Sequence, residues 1–331
     1  MAQALSEKRP RAGREKKGET ITITRTFDAP RGLVWKAWTD PALIVRWWGP
    51  KGFTTPVAKS DFRVGGRYLY CMRAPDGKEI WSTGVFQEIV HLQKTVATDS
   101  FADENGNVVP ASYYGMEGEF PLELQASATF SDQKGRTKFV LRHGGFPPGE
   151  ITKMTIAGWN EMFDKLETFL KEERANWEKT LLTAEPGKQE ATIIRVFDAP
   201  REKVFRAYTN PELRAKWWAP RRLSIDIEKM EAKAGGSWRM VNRDKDGNEF
   251  WFHGVYHEVS PTRIVYTFEF EGMPEHVMLG IASLEDMDGK TKVTEKTIFE
   301  SVDDRDAMLK SGMEEGGREV MDRLAELIEK H

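Results

Sequence analysis

The chain of 331 residues is poor in most of the features that announce a function. It has a single cysteine, Cys71, so it can build neither an internal disulfide nor a cysteine-rich metal site. A lone thiol fits a reducing compartment, and the expected location is cytoplasmic. No apolar run approaches the roughly 18 residues of a membrane-crossing helix. The N-terminus has no signal-peptide core, so no membrane insertion is expected. There is no dinucleotide fingerprint, phosphate loop or zinc-peptidase motif, and no cofactor is expected. Net charge is only −3, too small to draw the chain to nucleic acid.

Histidine is scarce too, with six residues. His253 and His257 share a strand face, but lie about 13 Å apart along an extended strand, too far to hold one metal, and no metal site is expected. His143 precedes Gly144-Gly145, superficially like an esterase oxyanion loop. No Gly-x-Ser-x-Gly elbow exists, and it reads as a strand end and turn. Cys71, between Tyr70 and Met72, reads as an inert buried thiol.

What the chain does have is an ordinary soluble composition, 39% hydrophobic and 31% charged, with eleven tryptophans. Its length suits two domains. Residues 1–19 mix six basic with three acidic residues and read as a disordered, solubilising basic tail. An arm on nucleic acid or anionic lipid is the alternative, disfavoured by the mixed charge and the lack of interleaved aromatics.

Self-similarity decides the organisation. Phe27-Asp28-Ala29-Pro30-Arg31 recurs as Phe197-Asp198-Ala199-Pro200-Arg201, an offset of 170. At that offset Trp47-Trp48 matches Trp217-Trp218, Gly65-Gly66 matches Gly235-Gly236, and Trp81 matches Trp251. Near the end the offset falls to 158, pairing Gly158 with Gly316 and Glu161 with Glu319, so copy one carries 12 extra residues, placed around Asp103–Glu119. The expected division is a domain at 20–173, a linker at 174–189 signalled by Glu185-Pro186-Gly187, and a domain at 190–331.

Each copy reads as a strand, two short helices, about six strands and a long closing helix. Ile21–Phe27 opens with alternating Ile and Thr. Asp40-Pro41 and Asn210-Pro211 place an N-cap residue before a proline at the first helical position. Turn signals recur at Asp76-Gly77, Asn105-Gly106, Asp246-Gly247 and Asp288-Gly289. The closing helix of copy one carries an apolar stripe through Trp159, Met162, Phe163 and Leu166. Copy two repeats it through Val320, Met321 and Leu324, after a near capping box at Ser301 and Asp304. Gly158, Gly312, Gly316 and Gly317 fall in these helices, either for close approach to the sheet or to leave room for a ligand. The fold class is α+β: an antiparallel sheet must cover one face, and the long helix is the element able to do it.

A sheet curved around one helix leaves a gap, and the excess of indoles and phenols suits its wall. The candidate cavity residues are Trp47, Trp48, Tyr68, Tyr70, Trp81, Trp159, Met162 and Phe163 in copy one. In copy two they are Trp217, Trp218, Trp238, Met240, Trp251, His253 and Met313. For any single member, plain core packing is the competing reading.

These residues resemble the START-like (SRPBCC) superfamily and, within it, the family named after the activator of heat-shock protein 90 ATPase. The motifs are Phe-Asp-Ala-Pro-Arg at 27 and 197, Trp-Trp-Gly-Pro at 47, Trp-Trp-Ala-Pro at 217, and Asp304-Arg305-Asp306-Ala307-Met308 followed by Ser311-Gly312-Met313-Glu314-Glu315-Gly316. Copy one has Met154-Thr155-Ile156-Ala157-Gly158-Trp159 instead, so its cavity mouth is expected to differ. The resemblance implies two tandem helix-grip domains, each with a ligand-sized cavity. It spans lipid carriers, cyclases, stress proteins and co-chaperone domains, so fold alone fixes no activity. The eponymous co-chaperone has a further N-terminal domain, and the short tail here does not correspond to it. Three functions stay open. The first is binding of a small apolar or amphipathic molecule in each cavity, and the second is cavity-based acid–base catalysis, for which no constellation is evident. The third is a chaperone-regulating surface, with a chaperone partner not favoured. Oligomeric state is not legible.

Overall fold

A computed structural model describes residues 18–116 and 120–329. The tail expected at 1–19 lies outside them except for its last two residues, and Glu19 already opens the first strand. The chain divides into two compact units, one ending at Phe169 and the other beginning at Leu170.

In copy one β1 (Glu19–Phe27) turns Ile21, Ile23 and Phe27 inward and its threonines outward, the two-residue period of a half-buried strand. Two short helices follow, α1 (Arg31–Thr39) and α2 (Pro41–Trp47). Asp40 caps α2, its Oδ1 accepting from Ala42 N at 2.9 Å with Pro41 at the first helical position. Six strands complete the sheet: β2 (Thr54–Ser60), β3 (Arg67–Arg73), β4 (Glu79–Val90), β5 (Lys94–Ala102), β6 (Leu124–Gln133) and β7 (Arg136–Phe146). All pairings are antiparallel, in the order β1-β7-β6-β5-β4-β3-β2. The helix α3 (Glu150–Trp177) closes the copy, burying Trp159, Met162, Phe163 and Leu166.

Copy two repeats this with β9 (Glu190–Phe197), α4 (Arg201–Thr209), α5 (Pro211–Arg214), β10 (Ser224–Met230), β11 (Ser237–Arg243), β12 (Glu249–Ser260), β13 (Arg263–Phe270), β14 (Val277–Met287) and β15 (Lys290–Ile298). Its helix is broken into α6 (Val302–Lys310) and α7 (Met313–Ile328). Ser301 caps α6 as its sequence suggested, accepting from Asp304 N at 3.0 Å. Gly312, expected inside the helix, is the break itself: its φ of +100° is left-handed and disfavours any side chain. Gly317 stays within α7 because a Cβ there would meet Ile193 Cδ1 at 2.5 Å, a close approach of helix to sheet.

The stretch 174–189, expected as a linker, contains the end of α3 and a short strand, β8 (Thr180–Thr183), which pairs with β9 and adds an edge to the second sheet. Ala184–Gln189 alone carries no regular element. Homologous bulges at Phe86/Glu88 and Tyr256/Glu258 bend β4 and β12.

The duplication extends to individual bonds. Trp47 and Trp217 donate their indole N–H to Ala37 O and Ala207 O, at 2.9 and 3.0 Å. Thr137 and Thr291 donate to Ala29 O and Ala199 O, both at 2.7 Å. Glu161 and Glu319 each accept from the backbone N–H of Lys51 or Arg221 at 3.0 Å. Lys165 Nζ donates to Trp48 O, Gly49 O and Phe53 O at 3.2, 2.9 and 3.0 Å, and Arg323 does the equivalent in copy two on Ala219 O and Lys216 O. Each closing helix is thus pinned to the loop after the second short helix.

Candidate functional site

The concave side of the first sheet is formed by alternate residues of four strands: Tyr68, Tyr70 and Met72 on β3, Ile80 and Ser82 on β4, Ala97, Asp99 and Phe101 on β5, and Leu124, Ala126 and Ala128 on β6. Several are small, so sheet and helix do not meet everywhere. A cavity of about 490 Å³ lies between them, in the size range of a small-molecule site. A second space of about 70 Å³ lies beside it, and Trp48, Asp99 and Trp159 border both.

The mouth is built by elements peculiar to copy one. The long connection 103–123, where the extra residues were expected, contains a 3₁₀ turn at Ala111–Tyr114 and brings Met116, Phe120 and Pro121 to the wall. Tyr114 anchors it, its hydroxyl donating to Ala102 O at 2.6 Å and accepting from Trp81 N at 3.0 Å. Phe120 packs on Phe101 and Phe146, with ring centroids 5.5 and 5.9 Å away. The first turns of α3 complete the rim with Ile151, Met154, Thr155 and Gly158.

One polar chain interrupts this apolar wall. Tyr68 Oη donates to Asp99 Oδ1 at 2.8 Å, and His143 Nε2 lies 3.1 Å from Asp99 Oδ2. That second contact is electrostatic and not a linear hydrogen bond, since Nε2 has no aligned partner. Trp159 donates its indole N–H to His143 Nδ1 at 3.3 Å, which makes Nδ1 an acceptor and assigns the ring proton to Nε2, facing Asp99. Burial raises the Asp99 carboxyl, but the contacts with His143 and Tyr68 outweigh it and hold it below the usual carboxylate range. Burial, then the neighbouring Asp99, pushes the Tyr68 phenol well above its ordinary value.

Of the residues singled out from sequence, Trp48, Tyr68, Tyr70, Trp159 and Met162 line this space. Trp47 and Phe163 are fully buried core residues behind it. Trp81 does not belong: it sits opposite Cys71 in the register, while its neighbour Ser82 sits opposite Tyr70, so Trp81 occupies the face turned away from α3. Trp251 and His253 are corrected for the same reason. Their strand face carries Arg239, whose guanidinium lies 4.0 Å from the Trp251 ring centre, and His253 is 44% exposed beside Glu269 and Glu271. Met313, partly exposed, begins α7. His143, read as a strand end, is instead a buried residue of β7 in the cavity wall. Asp99 was missed altogether, although an acid in phase with Ala97 and Phe101 on a half-buried strand was a usable signal.

Copy two carries larger side chains at the equivalent positions. The ladders align Ser82 with Phe252, Ala97 with Tyr266 and Asp99 with Phe268. These rings pack with Trp218 and Trp238: Phe268 lies 5.4 and 5.7 Å from the two indoles and 5.1 Å from Phe252. Trp217, Trp238 and Met240 belong to the same buried cluster, against which Trp218 packs. Its polar content differs too. The buried Arg214 lies over the rings of Tyr208, Trp217, Trp218 and Tyr266, and burial raises the Glu295 carboxyl, opposed by Arg214 and Tyr208.

Elsewhere, Cys71 is buried, its thiol pushed up to about 11 by desolvation and by Glu79. Among the described residues, His276, Glu300 and Asp304 form a group that could hold a cation, where sequence offered none. They are largely exposed and already engaged: His276 pairs with Asp304 at 3.2 Å and Glu300 accepts from Val277 N at 3.1 Å. No described helix is long and apolar enough to cross a membrane.

Solved structures similar to this chain are each about one copy long. A protein from Staphylococcus epidermidis is 27% identical, covering 45% of this chain and 96% of its own, with a TM-score of 0.40. A protein from Nitrosomonas europaea is 23% identical, covering 47% and 96%, with a TM-score of 0.39. The AHSA1 protein from Silicibacter pomeroyi is 19% identical, covering 47% and 99%, with a TM-score of 0.38. Among curated proteins none matches. The model of the family described as activator of Hsp90 ATPase homolog 1-like protein matches residues 28–171 and again 198–329. The match takes in most of the chain and falls on both copies, and the protein therefore belongs to that family, twice over in tandem.

Proposed function

We propose that copy one binds a small, mainly apolar molecule between its sheet and α3, one ligand per chain, and that copy two is a packed partner domain. The observation that carries this reading is the cavity of about 490 Å³, apolar over most of its wall and bordered by Asp99 and His143. Removing apolar ligand surface from water at about 25 cal/mol per Å² supplies the affinity, and the few polar groups set orientation. The stoichiometry follows from the rings of Phe252, Tyr266 and Phe268, which stand in copy two where copy one has Ser82, Ala97 and Asp99. Acid–base catalysis gains paired groups that sequence did not reveal. Both ring nitrogens of His143 are engaged, however, by Trp159 and Asp99, which favours a positioning network over a free base.

The test is to give copy one the residue copy two already has. Ser82→Phe places a ring in the cavity on a strand position that tolerates Phe252. Native mass spectrometry and calorimetric titration with a bare apolar probe such as naphthalene should show one bound molecule in the unaltered chain and at least about tenfold weaker binding in the variant, equivalent to about 1.4 kcal/mol. Equal binding by a folded Ser82→Phe chain would refute the assignment to this cavity.

A further inference from the structure

The cavity of copy one has an electrostatic sign. Among the described residues no lysine or arginine lines either space, and Asp99 is the one carboxylate that does. Its side chain is 26% accessible although its chain neighbours Thr98 and Ser100 are buried, and it borders both cavities. Oδ1 is taken by the Tyr68 hydroxyl, whereas Oδ2 faces His143 without an aligned hydrogen bond and keeps acceptor capacity. The aromatic walls present π faces of negative potential, which add to the carboxylate. A carboxylate or phosphate head in this space would meet the Asp99 carboxylate with no lysine or arginine in the lining to offset it. A head that donates a hydrogen bond would complete Asp99's coordination.

Resting on the binding assignment above, we infer that the ligand of copy one is an apolar molecule whose polar head is a hydrogen-bond donor, a hydroxyl or a protonated amine, placed on Asp99. Copy two carries Phe268 at the same ladder position and lacks this anchor.

The test uses the full chain and four probes: naphthalene, 1-octanol, octylamine and octanoate, titrated by calorimetry at low salt. Octanol, octylamine or both should bind at least about tenfold more tightly than octanoate, the worth of one hydrogen bond to a buried charge. Octylamine ahead of octanol identifies a cationic head, and octanol level or ahead a hydroxyl head. Asp99→Asn should erase the preference over octanoate while naphthalene binding persists. Octanoate binding as tightly as the two donors overturns the inference and leaves the cavity assignment intact, as does an unchanged ranking in Asp99→Asn. Failure of naphthalene as well would sink the cavity assignment and the inference with it. If Asp99→Asn does not fold, the ranking on the unaltered chain decides.

Discussion

Lys165 gives the sharpest test of how α3 holds the cavity wall. Its ammonium donates to three backbone carbonyls, Trp48 O, Gly49 O and Phe53 O, at 2.9 to 3.2 Å, and burial lowers its pKa from the ordinary lysine value. Those carbonyls belong to the loop that carries Trp48 and Pro50 into the wall. Lys165→Met keeps the stem and removes the head. A hydrogen bond to a charged group is worth about 1.5–3 kcal/mol, and three bonds sharing one donor are not additive, so a loss of about 2–4 kcal/mol is expected for copy one. At roughly 2–4 °C per kcal/mol for a domain of this size, its calorimetric transition should fall by about 5–15 °C. Hydrogen exchange should localise the change to residues 48–56, and naphthalene affinity should drop with it. Lys165→Arg should retain most of the stability, because Arg323 makes the same clamp in copy two. A Lys165→Met chain within about 0.5 kcal/mol of the original, with unchanged exchange at 48–56, would refute the reasoning.

Other outcomes follow from the same geometry. Glu295 has a raised carboxyl in the folded state, so its contribution to stability is fullest below about pH 4.5, the unfolded value, and is lost as pH rises through the folded pKa. Thermal melts of Glu295→Gln between pH 4 and pH 8 should therefore gain on the original chain as pH rises; parallel curves would contradict the assignment. Cys71, with its thiol near 11, should resist a thiol reagent at pH 8 until the chain is denatured, and prompt labelling of the native protein would count against its burial. Gly84→Ala should destabilise copy one by several kcal/mol, because the added Cβ would lie 1.9 Å from Thr98 O, a backbone atom that cannot swing aside. A melt unchanged in Gly84→Ala would mean that β4 and β5 leave room for a methyl group between Gly84 and Thr98 O.

The sequence by itself determined the duplication, the α+β class, the two short helices with their Asp40 and Asn210 caps, the Ser301 cap and the position of the extra segment in copy one. All of these are written in local terms: a repeat is read by comparing the chain with itself, and a cap needs one side chain and a proline beside it. It also named Trp48, Tyr68, Tyr70, Trp159 and Met162, since strand parity after Gly65-Gly66 and the stripe of the closing helix both point inward. Parity does not say which face of a strand is inward when apolar residues stand on both, as with Ile80 and Trp81 in β4 and Trp251 and Phe252 in β12. Their size and aromaticity point Trp81 and Trp251 to the cavity, and Cα register puts them on the other side. Tertiary structure decided the rest. Asp99, His143 and Trp159 are far apart in sequence and come together, Trp159 hydrogen-bonded to His143 and His143 facing the Asp99 carboxylate, only when β5, β7 and α3 are packed together. Whether the gap under each helix is filled depends on the summed volume of side chains from several strands. Ser82, Ala97 and Asp99 leave it open in copy one, whereas Phe252, Tyr266 and Phe268 fill the same ladder positions in copy two.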